Sequence, residues 1–136
     1  MKKKKLKSIT KVKKDVWDLF SKYIRLKYSD WRGNVSCITC NKIFHWKNIQ
    51  AGHFIQGRHN AVLFDERNVH PQCYSCNCCK HGNLIPYYEF MLKKYGKQVI
   101  EELKRKDKEI KQFTRPEFEA MKIKLKKKIK KLEIST

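Results

Sequence analysis

From Val12 onward, apolar side chains recur at Val12, Val16, Leu19, Phe20, Tyr23, Ile24 and Leu26. That is helical spacing with one apolar stripe, and it predicts a helix from Lys11 to Tyr28. Asp30, Gly33 and Asn34 supply turn chemistry that ends it. Beyond them the period shortens. Val35 to Phe44 is β-prone but interrupted by Cys37-Ile-Thr-Cys40, and His45 to Phe54 reads as a strand or hairpin arm. Gln56 to Asn60 is polar and reads as loop, Val62 to Phe64 as a second strand, and Asp65 to Gln72 as irregular. A helix is expected from Cys73 to about Lys80, broken by Gly82-Asn83.

The remainder is helical in pattern. Leu84 to Tyr95 stops at Gly96, and Lys97 to Lys106 turns Val99, Ile100 and Leu103 inward. Thr114-Arg-Pro-Glu117 has the form of a capped helix start, with a Thr cap, Pro in the first turn and Glu three residues on. Phe118, Met121, Leu125, Ile129 and Leu132 then form the stripe of a long last helix. The expected fold class is α+β. One domain spans 1–136: a basic arm over 1–10, a helix over 11–29, a compact core over 35–83 and a helical basic extension over 84–136.

Charge changes the picture. The formal net charge is +20. A compact chain with that surplus repels itself unless a polyanion neutralises it, which points to nucleic acid. The last helix carries Lys122, Lys124, Lys126, Lys127, Lys128, Lys130 and Lys131 off its apolar stripe, either as a solvated face or facing phosphate. Arg58, Lys80, Lys122, Lys126, Lys127 and Lys130 are the expected nucleic-acid contacts. No stretch approaches the roughly 18 apolar residues of a membrane span. The lysine run Met1–Lys5 lacks the apolar segment of a secretory signal, so the expected location is the cytoplasm, that of the host cell if a phage encodes the chain.

In a reducing compartment the six cysteines ask for an explanation other than disulfides. Two Cys-x-x-Cys pairs, Cys37/Cys40 and Cys73/Cys76, have the spacing of two knuckles that close a tetrahedral, structural Zn²⁺ site. Cys78 and Cys79 are surplus; adjacent thiols do not make a knuckle.

Between and after the knuckles stand Ala51-Gly52-His53-Phe54, Arg67-Asn68-Val69-His70-Pro71-Gln72-Cys73 and Cys76-Asn77-Cys78-Cys79-Lys80. This set resembles the HNH, or ββα-metal, nuclease motif. The run from Ala51 to Asn83 is closer still to the phage lambda NinG (Rap) family of recombination endonucleases. The resemblance implies a zinc-stapled ββα-metal core and a DNA endonuclease needing Mg²⁺ or Mn²⁺. It also implies branched recombination substrates, such as Holliday junctions or displacement loops, in a bacteriophage. It implies roles for His53 as general base, Asn68 as the residue orienting it, and Asn77 as a ligand of the catalytic ion. The chemistry suits these types: a neutral imidazole can activate water, and an amide carbonyl can ligate a hard cation. Many such enzymes have an acid before the base, where this chain has Gly52. His70 is the first substitute ligand, then His81, with Asp65 and Glu66 as further options. His59 beside Arg58 is a phosphate contact in one reading, and His45 matches no role. The alternatives are a non-catalytic zinc-dependent nucleic-acid-binding module and an RNA-binding protein. A homodimer follows only by analogy with enzymes that cut two strands.

Overall fold

A computed structural model describes residues 5–134; Lys2–Lys4 of the basic arm lie outside the described residues. Helix α1 (Ile9–Lys27) starts two residues earlier than its apolar stripe suggests, because the Ser8 hydroxyl accepts from the Lys11 amide at 3.2 Å and caps it. Lys7, part of the expected arm, is paired with Asp15 at 2.9 Å.

Two small antiparallel sheets follow. Strands β1 (Asn34–Ser36) and β2 (Ile43–His45) frame the first Cys-x-x-Cys, with Val35 opposite Phe44. After a single 3₁₀ turn at Trp46–Asn48, β3 (Gln50–His53) pairs with β4 (Val69–Gln72), in the register Gln50–Gln72 to His53–Val69. The residues between them do not supply the expected second strand. Asn60–Leu63 is instead a short helix, α2, which buries Ala61, Val62 and Leu63 together. Three consecutive buried residues suit one helical turn against a core better than a pleat that would alternate them. The pairing strand is the stretch read as irregular: Val69-His-Pro-Gln is buried on both faces and so lacks the alternation that announces a strand. Pro71 sits opposite Ala51.

The expected helix from Cys73 to Lys80 contracts to one π turn, Ser75–Cys79, in which the Lys80 amide donates to the Ser75 carbonyl. Left-handed His81, Gly82 and Asn83 then stop it. Helices α3 (Leu84–Lys94), α4 (Lys97–Asp107) and α5 (Arg115–Ile134) match their predicted spans within a residue or two.

Alternation along β3 and β4 divides the core. Ala51 and Val69 face the α1 stripe, which Phe118, Leu125 and Ile129 of α5 also cover. Across the sheet, Tyr87 and Met91 of α3 and Ile100 and Leu103 of α4 pack with Phe54 and Val62. The cysteine knuckles form a third cluster with Val35 and Ile49. No helix among the described residues is long and apolar enough to cross a membrane.

Candidate metal centre and nucleic-acid site

Cys37, Cys40, Cys73 and Cys76 bring their sulfurs within 4.8 Å of one another. With Zn–S bonds of about 2.3 Å, a tetrahedron has edges of roughly 3.8 Å, and Cys40 Sγ lies 3.8 Å from Cys73 Sγ. The four thiols could therefore bind a zinc ion. Their surroundings suit thiolates. The Gln72 amide donates to the Thr39 hydroxyl at 3.1 Å, which directs that hydroxyl's proton to Cys37 Sγ at 3.4 Å. Burial opposes ionisation of the Cys37 thiol, but bonds from Thr39 and from backbone amides outweigh it and lower its pKa to about 6. The Cys76 amide reaches Cys73 Sγ, and Asn83 Nδ2 reaches Cys76 Sγ, each at 3.5 Å. Cys78 and Cys79 are exposed and outside the cluster.

His53 ends β3 on the α1 side. Only 7% of it is exposed, and its ring stacks on Trp17 at 5.0 Å between centroids. Its Nε2 lies 3.2 Å from the Leu63 carbonyl. A carbonyl only accepts, so Nε2 carries the proton and Nδ1 keeps the basic lone pair. Burial pushes the imidazole pKa down to about 4, and the Arg58 charge adds to that. Arg58, in the left-handed region, lays its guanidinium over the same indole, 4.7 Å from the Trp17 centroid.

Asn68 is fully buried. Its Oδ1 accepts from the Ile55 amide at 2.8 Å, and its Nδ2 donates to the Ile55 and Val62 carbonyls at 3.4 and 3.3 Å. It thus ties together the two backbone segments that flank His53 and Leu63, without touching the imidazole.

Other expected site residues are placed elsewhere. His70 is a correction: it is 0% exposed on the opposite face of the sheet, with Nδ1 2.9 Å from the Tyr87 hydroxyl and Nε2 2.8 Å from the Tyr95 hydroxyl. Both nitrogens are occupied inside the core, so neither is available to an ion or a phosphate. Asn77 donates its amide to Gln50 Oε1 at 2.8 Å, at the far end of β3 from His53, so these two are not brought together. His81 is exposed. The turn it belongs to does reach the His53 end: Gln56, which donates to the His53 carbonyl at 2.8 Å, packs where a Gly82 side chain would stand. Asp65 is held by Arg67 and Lys106, and Glu66 by Lys128 and Lys27. His59 pairs with Asp107 at 2.8 Å.

Gly52, where an acid was looked for, has a structural reason. A Cβ there would fall on the Gln72 side-chain oxygen, which is itself buried without a hydrogen-bond partner. The residue is glycine because Gln72, fully buried, fills that space to reach Thr39 and the Gly82 carbonyl.

Lys80, Lys126, Lys127 and Lys130 are exposed, and Lys122 is partly covered beside Glu119. Trp17, Gln72 and the Tyr87–Tyr95 pair were not legible as site neighbours. Trp17 lies inside the α1 periodicity, and the tyrosines come from a helix with no motif of its own.

A family described as the bacteriophage lambda NinG protein matches residues 1–134. The chain belongs to the NinG family. Protein ninG of Salmonella phage P22 is 32% identical over 105 residues, covering 75% of this chain and 50% of that protein. Protein ninG of Escherichia phage lambda is 33% identical over 73 residues, covering 52% of this chain and 34% of its own length. The chain thus spans about half the length of the first of these NinG relatives. No solved structure matches it.

Proposed function

We propose that this NinG-family chain is a DNA endonuclease of the HNH, or ββα-metal, kind, acting on phage DNA in the host cytoplasm. The observation that carries the reading is His53: a strand-end imidazole, held neutral, with Nε2–H committed to the Leu63 carbonyl and Nδ1 left unprotonated. Such a group accepts a proton from an attacking water, and no other histidine in the chain combines these features. Nδ1 takes the proton as the water oxygen bonds to phosphorus and the P–O bond to the leaving sugar oxygen breaks, that oxygen taking a proton from solvent. The Leu63 carbonyl keeps the ring in one tautomer, Asn68 fixes that frame, and Arg58 beside it offsets phosphate charge. Sequence-independent hold on the duplex falls to Lys80 and the lysines of α5.

The four thiols fit Zn²⁺, which would cross-link the knuckles and take no part in the chemistry. A Mg²⁺ or Mn²⁺ ion is expected of an HNH enzyme, but the donor set beside His53 does not fit one by itself. Asn77 is turned to Gln50, both nearby carboxylates are ion-paired, and the four cysteines are the sole metal-type cluster among the described residues. With both nearby carboxylates engaged by lysines and Arg67, the donor set favours the second reading, a zinc-dependent nucleic-acid binder.

The test is cleavage of linear, nicked and four-way-junction DNA with Mg²⁺ or Mn²⁺, wild type beside His53→Ala. The expected result is a loss of about 10²–10⁴-fold, with DNA binding retained. Undiminished cutting by His53→Ala overturns the mechanism, and a wild type that binds but never cuts leaves the binding module.

A further inference from the structure

A cleft lies between the turn after α1 and the connection from β2 to β3. Trp31, His45 and Trp46 are among its lining residues. Trp31 is 72% exposed, and the Arg32 guanidinium lies 4.6 Å from the centroid of its ring. Trp46 is ringed by cations: Lys22, Arg25 and Lys47 lie 5.7, 5.5 and 5.6 Å from its centroid. Arg25 is fixed there by a 3.0 Å bond to the Trp46 carbonyl. The acidic groups nearby are engaged. Asp30 accepts from the Arg32 and Asn34 amides, both at 2.9 Å, and Glu133 lies 3.3 Å from Lys22.

An exposed indole with a guanidinium over its ring, beside a second indole under three cations, matches a ligand with flat apolar faces and a negative backbone. An apolar peptide would meet cations at every edge. A duplex would offer phosphates but keep its base faces stacked inside. An unpaired strand offers both. We propose that this cleft binds single-stranded nucleic acid, stacking an unpaired base on Trp31 while Arg32 and Lys47 take the flanking phosphates.

Trp17 of α1 stacks on His53, and Leu26 of the same helix lines the cleft. Nine residues at 1.5 Å each separate them by roughly 14 Å along the axis. Nine residues are also about two and a half turns, so the two side chains leave α1 on opposite sides, and a strand that reached both places would pass round the helix. The inference rests on the nucleic-acid reading above, but not on cleavage.

The experiment is fluorescence anisotropy of the full chain against an oligothymidylate and a duplex of equal length, at fixed salt without added divalent ion. Trp31 is exposed in a turn, so its replacement leaves the core intact; unchanged circular dichroism and metal content check this. Trp31→Ala is expected to weaken single-strand binding roughly 5- to 100-fold while duplex binding changes by less than about twofold. Trp31→Phe, still a stacking ring, is expected to retain most of the affinity. Unchanged single-strand binding in Trp31→Ala, equal loss on both ligands, or no recovery in Trp31→Phe overturns the proposal. Single-strand binding through Trp31 by a protein that never cuts would sink the nuclease reading alone. Active cleavage with Trp31→Ala binding unaltered would sink this one alone.

Discussion

His53 and His70 stand on opposite faces of the same pair of strands, and both are kept neutral by burial. His53 keeps one nitrogen basic, whereas His70 spends both on tyrosine hydroxyls. For His70, burial and then the charges of Lys94 and Lys27 lower the pKa to about 3. The unfolded chain protonates this residue near 6.5, so between pH 6.5 and 3 the unfolded state binds more protons than the folded one. Stability supplied by His70 is therefore complete above 6.5 and is lost as pH falls through that window. His70→Phe removes the titration. The stability gap between wild type and His70→Phe, read from urea midpoints, should narrow on acidification from pH 7 to 4, approaching about 1.4 kcal/mol per unit. A gap that stays constant would mean His70 is not held neutral by the fold. Comparing the two proteins cancels any thiolate protonation they share. At this scale the motif spacing made His53 and Asn68 legible. The part played by His70 was not, because Tyr87 and Tyr95 reach it from a helix 17 and 25 residues further along the chain.

Elements were legible where periodicity and caps agreed. Thr114 and Glu117 form the reciprocal cap read from the sequence: the Glu117 amide donates to Thr114 Oγ1, and the Thr114 amide to Glu117 Oε1, both at 3.3 Å. Thr114→Ala should cost about 1 kcal/mol in thermal or urea unfolding, with Thr114→Ser near wild type. Equal stability of all three would show that the cap contributes nothing. Between residues 60 and 80 the elements were misread for one physical reason. Val62–Phe64 is a short, largely buried apolar run and Val69–Gln72 a short run of mixed polarity buried throughout, and neither carries a period that separates a helical turn from a strand. What decides them is the tertiary bond set of Asn68, which closes α2 toward β3 and starts β4 at the following residue. The π turn has no signal in helical propensity, because it answers to Cys73 and Cys76 facing one centre.

At the scale of the whole molecule, a small core is split into three clusters, and the cysteine cluster joins parts of the chain 33 residues apart. Zinc binding there is folding free energy. Cys37→Ser, or treatment with a strong chelator, should abolish the cooperative thermal transition. Cys78→Ser, an exposed residue outside the cluster, should leave it within a few degrees. Metal analysis showing no zinc in the purified protein, or a Cys78→Ser variant less stable than Cys37→Ser, would overturn the assignment.

The packing of α1 against α5 fixes an order of events when the chain is made. Val12, Val16 and Phe20 are covered by Phe118, Leu125 and Ile129, roughly a hundred residues later. On a ribosome adding about 5–20 residues per second, that stripe waits on the order of 5–20 s for its lid. The knuckles and the β3–β4 pair can close in the meantime, because all their residues emerge earlier. Helix α1 is thus completed long after it is made, and for that interval the part of its apolar face that α5 covers is open to whatever else in the cell binds such faces.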